Sequence, residues 1–209
     1  MVLPWHNPVL LAEQAATIDL LSGGRLDFGI GKGYRYNEFV GFCVPMEEAD
    51  DRFEEALSII LKAWTTEARW SFRGKYWSFK DVIVEPPTAQ KPHPPLWMGA
   101  GSTESLTRAA KRGHNVLLDQ FAPIPQIGER VATYRTAVEA EGKKFDPMSV
   151  AVTRSMNIVM SQAERRKAVE TRLMTQERID RLAQTPDGKN KASIISYAHT
   201  LEAAEASAL

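Results

Sequence analysis

The sequence predicts an α/β fold with parallel strands, and two observations carry that reading. Segments with apolar residues at three- and four-residue steps alternate with short apolar runs of strand length. Glycine-rich stretches follow two of those runs, Gly29-Ile30-Gly31-Lys32-Gly33 and Gly99-Ala100-Gly101. Such strand ends are where parallel α/β proteins place ligands. Core strands are expected near residues 26–30, 96–100, 116–119 and 150–158. A (β/α)₈ barrel needs eight strands and about 250 residues, whereas the chain has 209. Periodicity therefore leaves a small open sheet and part of a barrel as alternatives.

Each element has a local reason. A first helix is expected from Pro8 to Leu21, with Asn7 as its cap and Pro8 in its first turn. Ser22-Gly23-Gly24 stops it, because glycine tolerates the left-handed backbone of a helix end. Leu26 to Ile30 reads as a strand, and Tyr34-Arg35-Tyr36 opens no obvious helix. A second helix is expected from Glu47 to Thr66, with Met46, Ala49, Phe53, Leu57, Ile60 and Trp64 on one face. Trp70 to Phe79 places aromatics around Gly74 and predicts a β-hairpin. Glu85 to Pro95 is proline-rich and predicts an extended loop. Leu96 to Ala100 reads as a buried strand. The helix after Gly101-Ser102 should bury Leu106, Ala109 and Ala110 and end at Gly113. Val116 to Leu118 is the next strand. A helix from Gln126 to Glu141 should bury Ile127, Val131, Tyr134 and Val138. Val150 to Met160 is strand-like, and Ser161-Gln162-Ala163-Glu164 is a capping-box start for a last helix.

Composition excludes several classes. Lys plus Arg equals Asp plus Glu at 26 each, so the basic excess of a nucleic-acid binder is missing. No apolar run nears the ~18 residues that span a bilayer. The first residues, MVLPWHNPVLLAEQ, lack the basic stretch of a secretory signal. The single cysteine, Cys43, allows no internal disulfide, and a cytoplasmic location is expected. His6, His93, His114 and His199 are scattered without metal-ligand spacing, so no metal site is expected.

Two loops could carry chemistry. Gly31-Lys32-Gly33 puts a cation at a strand end, where a lysine meets a phosphate as a point charge; local sequence alone favours a turn with a solvated lysine over that ligand reading. It matches neither a Walker loop nor a dinucleotide-binding fingerprint. Gly101-Ser102-Thr103-Glu104-Ser105 joins a strand to a helix N-terminus. Its free N–H groups and the Ser102 and Ser105 hydroxyls suit a phosphate, although taken alone the segment favours Ser102 as an N-cap only. His6 lies on a loop, where a local hydrogen bond and a catalytic role are both open. Cys43, beside Phe42 and Val44, reads as a small hydrophobe rather than a nucleophile. The aromatics Trp70, Phe72, Tyr76, Trp77 and Phe79 read as hairpin packing rather than a base-stacking platform.

Several segments together resemble the bacterial luciferase-like family of flavin-dependent monooxygenases. They are Leu3-Pro4-Trp5-His6-Asn7-Pro8, Ala12 through Arg25, Phe28 through Gly33, Glu38-Phe39, Arg52-Phe53-Glu54-Glu55, and Pro92 through Gly99 with Ala109-Ala110. The resemblance implies a luciferase-like (β/α)₈ TIM barrel, incomplete in this chain. It forms one partial barrel domain over residues 1–209 with a hairpin insertion near 69–84. It implies reduced FMN, or a deazaflavin in some branches, at the C-terminal strand ends. Lys32 takes the place of the family's basic phosphate contact. Ser102 and Ser105, with Gly101, take that of its hydroxyl contacts, and Glu38 falls near the flavin. The chain departs from the family at the histidine often found before the proline: Asn7 stands there and His6 one residue earlier. His6 and Glu38 are the catalytic candidates the resemblance leaves.

The implied activity is oxygenation of a small organic substrate with O₂, reduced flavin coming from a separate reductase. Deazaflavin-dependent hydride transfer and a non-catalytic flavin-binding fragment are the alternatives. A homo-oligomer is expected, with neither nucleic acid nor membrane as partner. The family's N-terminal strands and its C-terminal end are expected to be missing, which would leave the first strand's outer edge bare.

Overall fold

The computed structural model describes residues 1–119, 122–154 and 156–187. The chain divides into two compact units, one of residues 1–33 and 38–98, the other of residues 34–37 and 99 onward.

The first unit starts from helix α1 (Pro8–Leu21). Asn7 has extended backbone, and its Oδ1 accepts from Val9 N and Leu10 N at 3.1 Å each. That satisfies two amides a helix start leaves orphaned. Gly23 and Gly24, at φ 68° and 76°, turn the chain away. The inner face of α1 is small, with Ala12, Ala15 and Ala16 buried. Helix α3 (Ala49–Thr65) therefore packs close, and Trp64 Nε1 donates to the Ala12 carbonyl at 3.0 Å. Ala49, Phe53, Leu57, Ile60 and Trp64 form the buried face expected from the sequence. A 3₁₀ turn over Met46–Glu48 precedes α3 and delays its start.

Strand β1 (Phe28–Ile30) pairs in parallel with β4 (Leu96–Gly99), Phe28 opposite Leu96 and Ile30 opposite Met98. Those four side chains are buried, whereas Gly29 is exposed and Trp97 half-exposed. Successive strand residues face opposite ways, so this pair buries only one face, as in an unclosed barrel. The outer edge of β1 is not bare, contrary to the sequence expectation. Val2 bridges Gly31 in parallel, Leu3 N donates to the Gly31 carbonyl at 3.0 Å, and Gly31 N donates to the Met1 carbonyl at 2.8 Å. These bonds fall at Gly31, just past the end of β1.

A short helix, α2 (Tyr36–Gly41), corrects the reading that nothing helical opens here. It is held by one anchor rather than a periodic pattern. Phe39 is 1% exposed and meets Trp5 edge-on at 4.8 Å between centroids.

Strands β2 (Trp70–Arg73) and β3 (Ser78–Val82) form the expected hairpin. Its turn is fastened to α3 by Glu55. The carboxylate accepts from Lys75 N at 2.9 Å, Tyr76 N at 3.0 Å and Trp77 N at 2.9 Å. A Cβ on Gly74 would overlap that carboxylate. Arg52 lies over the Tyr76 ring at 4.4 Å, and Lys75 Nζ meets Asp51 at 2.9 Å. The aromatics thus pack a hairpin, as expected.

In the second unit, the Ala100 N–H donates to the Leu117 carbonyl at 3.3 Å. Strand β5 (Asn115–Leu118) pairs in parallel with β6 (Val150–Val152). Helix α4 (Thr103–Arg112) buries Leu106, Ala109 and Ala110 and ends at Gly113, φ 69°. Helix α5 (Ile124–Ala140) packs on α4. Tyr134 and Val138 are buried and Ile127 and Val131 half-buried. Tyr134 donates its hydroxyl to the His114 carbonyl at 2.9 Å, and burial holds its phenol pKa above the ordinary value. Strand β6 is far shorter than the expected Val150–Met160, because its partner β5 ends at Leu118. Beyond it, Met156, Ile158 and Met160 are exposed. Helix α6 (Gln162–Ala183) starts where expected, Ser161 Oγ accepting from Glu164 N at 3.2 Å.

Asp119, directly after β5, bonds Arg130 of α5, and its other oxygen accepts from Ala122 N at 2.8 Å. The Arg130 side chain is only 12% exposed.

Two expected outcomes follow from these contacts. Glu55→Gln should speed amide hydrogen exchange at residues 75–77 by tenfold or more, since bonds to a charged acceptor are worth about 1.5–3 kcal/mol. Mass-spectrometric exchange confined to the hairpin measures it, and unchanged rates would remove Glu55 as the fastening. Asp119→Asn should cost on the order of 3 kcal/mol in denaturant unfolding, because it strands a mostly buried guanidinium. A loss below about 0.5 kcal/mol would show the pair to behave as a surface pair.

Candidate functional site

Each unit has its own candidate residues. In the first unit, Gly31-Lys32-Gly33 leaves the end of β1. Gly33 has φ 80°, and a Cβ there would sit 2.9 Å from Val2 and 3.0 Å from Phe39. The position accepts only glycine, which fixes where the Lys32 side chain starts. Lys32 does not stand free in solvent. Its Nζ meets Asp50 Oδ1, in the first turn of α3, at 2.7 Å.

His6 follows the 3₁₀ turn Leu3–Trp5, and its backbone N–H donates to the Leu3 carbonyl at 3.1 Å. Burial, and next the positive amino terminus, hold its imidazole below the ordinary histidine pKa. The neutral ring is thus favoured near pH 7, the form that can accept a proton. Glu38 lies in the first turn of α2. Cys43, read from the sequence as a small hydrophobe rather than a nucleophile, is exposed at φ 55°. It lies beyond α2, and Phe42 beside it is 59% exposed and stacks on Trp5 at 5.1 Å.

In the second unit, Gly101, Ser102 and Ser105 lie together at the start of α4. Ser102 is the N-cap of α4, and its Oγ accepts from Ser105 N at 3.2 Å. Ser105 Oγ accepts from Gly101 N at 3.2 Å and Ser102 N at 3.1 Å. Capping is therefore complete in this structure. The donor set also fits a phosphate. Two hydroxyls flank the turn, and the first-turn amides of Thr103 and Glu104 are ones a helix leaves without an intrahelical acceptor. A cation lies close as well: a Cβ on Gly101 would stand 3.6–3.8 Å from three atoms of the Arg130 guanidinium. Those near-equal distances mean the guanidinium faces the Gly101 backbone flat-on. Glu104, in the first helical turn, opposes an incoming anion.

Sequence reasoning missed Asp50, Asp119 and Arg130. Asp119 carried a signal, since it directly follows the apolar run of β5. Arg130 and Asp50 carried none, because each is one charge among several on a helix. Arg154 lies just past β6 and donates to the Ala122 carbonyl at 2.7 Å. Among the described residues, no group of His, Cys, Asp or Glu could hold a metal ion. No described helix is long and apolar enough to cross a membrane.

Comparison with known proteins bears on these residues. The oxygenase component of a flavin-dependent trigonelline monooxygenase from Acinetobacter baylyi is 32% identical over 147 residues, 69% of this chain and 39% of that protein. An FMNH₂-dependent dimethylsulfone monooxygenase from Pseudomonas putida is 34% identical over 141 residues, 66% of this chain and 38% of that protein. The chain thus spans well under half the length of these curated relatives. The crystal structure of monooxygenase RslO1 from Streptomyces bottropensis superposes with a TM-score of 0.70 at 28% identity, over 86% of this chain and 54% of that one. The luciferase-like monooxygenase family matches residues 1–208, and with parallel strands, crossover helices and glycine-rich strand ends of that kind, the chain belongs to that family.

Proposed function

We propose that this chain supplies the flavin-binding side of a monooxygenase that uses reduced FMN and O₂ to oxygenate a small organic substrate. The observation that carries this is the turn Gly101-Ser102-Thr103-Glu104-Ser105, a phosphate-compatible donor set at the end of a strand in a chain of this family. The oxygen chemistry belongs to the bound flavin. The chain's residues bind and orient it. Gly101, Ser102 and Ser105 take the phosphate, with the Arg130 guanidinium, itself paired with Asp119, close to Gly101. Lys32, in the first unit, is a separate candidate for a cationic phosphate contact. His6, favoured as the neutral imidazole, and Glu38 are the candidates for moving a proton. One relative described as an oxygenase component and another as FMNH₂-dependent support a separate reductase as the source of reduced flavin. The exposed Leu10, Ile18 and Leu21 of α1 support a homo-oligomer, and the lone exposed Cys43 a reducing cytoplasm. A deazaflavin carried on the same turn is the alternative cofactor.

Titration with FMN and riboflavin tests the turn. FMN should bind more tightly than riboflavin, which lacks the phosphate. Ser102→Ala and Ser105→Ala should each narrow that gap by about 0.5–1.5 kcal/mol. Taking the gap within each variant cancels the loss of helix capping. Equal affinities in the unaltered chain would overturn the phosphate assignment. A deazaflavin that outcompetes FMN, seen by its different absorption, would overturn the cofactor.

A further inference from the structure

We infer that Asp50 is a built-in competitor for the cofactor phosphate, a carboxylate that holds Lys32 until the phosphate takes it over. The inference rests on the proposed role of Lys32 as a phosphate contact.

The geometry confines the change to one side chain. On the near side of Lys32, the backbone is fixed by Gly31, which bonds Met1 and Leu3 at 2.8 and 3.0 Å. On the far side it is fixed by Gly33, whose φ of 80° and crowding against Val2 and Phe39 leave no freedom. The lysine stem can swing while its Cα cannot. Asp50 is equally well placed, because the first turn of a helix favours a carboxylate.

The pair is also one-to-one. The neighbouring carboxylate, Asp51, already has Lys75 at 2.9 Å. Arg52 is engaged by Glu48 at 2.8 Å and by the Tyr76 ring. Lys32 and Asp50 answer each other at 2.7 Å, with side chains 51% and 71% exposed. Exposed pairs of this kind are weak and exchange readily. A phosphate brings up to two charges and several acceptor oxygens to the same ammonium. The carboxylate therefore lowers the affinity for the phosphate without blocking it, and it keeps the lysine from recruiting other anions when no flavin is bound.

The test is a mutant cycle on the chain, read by binding of FMN against riboflavin at low salt. Asp50→Asn should tighten FMN binding about two- to fivefold, the fold-range of an exposed ion pair, and leave riboflavin unchanged. Lys32→Ala should weaken FMN alone. Adding Asp50→Asn to Lys32→Ala should then give no gain. Asp51→Asn, which removes the same charge one residue away, should tighten FMN less than Asp50→Asn does. If Lys32→Ala weakens FMN but Asp50→Asn does not tighten it, the exchange is overturned while the phosphate contact stands. If Asp50→Asn still tightens FMN without Lys32, or Asp51→Asn does so equally, the effect is general charge and the exchange is overturned. If Lys32→Ala shifts FMN and riboflavin alike, the contact itself fails and the exchange fails with it.

Discussion

The first unit depends on a carboxylate taken fully out of water. Asp19, near the end of α1, is 0% exposed. One of its oxygens accepts from Gln90 N at 2.9 Å and the other from Gln90 Nε2 at 2.8 Å. The same amide group donates to the Leu26 carbonyl at 2.8 Å. A buried charge is tolerable only when its acceptor sites are met, and one glutamine meets both oxygens. The result ties three places together: the end of α1, the approach to β1, and the long proline-rich segment ahead of β4. Phe28 N then donates to the Pro95 carbonyl at 2.8 Å, and the parallel register of β1 on β4 begins there. Losing Asp19 would release the proline-rich segment and, with it, the alignment that brings Lys32 to the end of its strand.

The second organising feature is the first half of α3, where charge is handled residue by residue. Asp50 takes the lysine from the end of β1, Asp51 the lysine of the hairpin, and Glu55 the hairpin's backbone. The opposite face of the same helix carries Phe53, Leu57 and Ile60 into the core. Burial on one side makes the helix rigid, and that rigidity gives the exposed pairs on the other side a defined geometry. In the second unit, α5 does comparable work with Tyr134 inward and Arg130 toward the strand ends.

Much of the fold was legible because its signals are local. The caps at Asn7, Ser102 and Ser161, the glycine stops, and the periodic faces of α3 and α4 are all decided within a few residues of chain. What escaped was decided at a distance. Helix α2 exists because Phe39 finds Trp5, and no pattern within residues 34–41 announces that. The end of β6 is set by the length of β5, not by the apolar residues that continue to Met160. The site divides in the same way. Ser102 and Ser105 were visible as a capping motif after a strand. That Lys32 arrives already paired, or that an arginine lies flat beneath Gly101, depends on side chains 18 and 29 residues away in sequence.

The fastening of the hairpin has a consequence for how this part of the molecule can change. Glu55 grips main-chain amides, and every residue except proline offers the same amide. The grip is therefore blind to what side chains the turn carries, provided that position 74 stays without a Cβ. Mutation of residues 75–77 would forfeit the Lys75–Asp51 and Arg52–Tyr76 contacts but leave the main-chain attachment in place. A hairpin of foreign sequence could be grafted onto α3 at this point, with one glycine and one glutamate as its docking code.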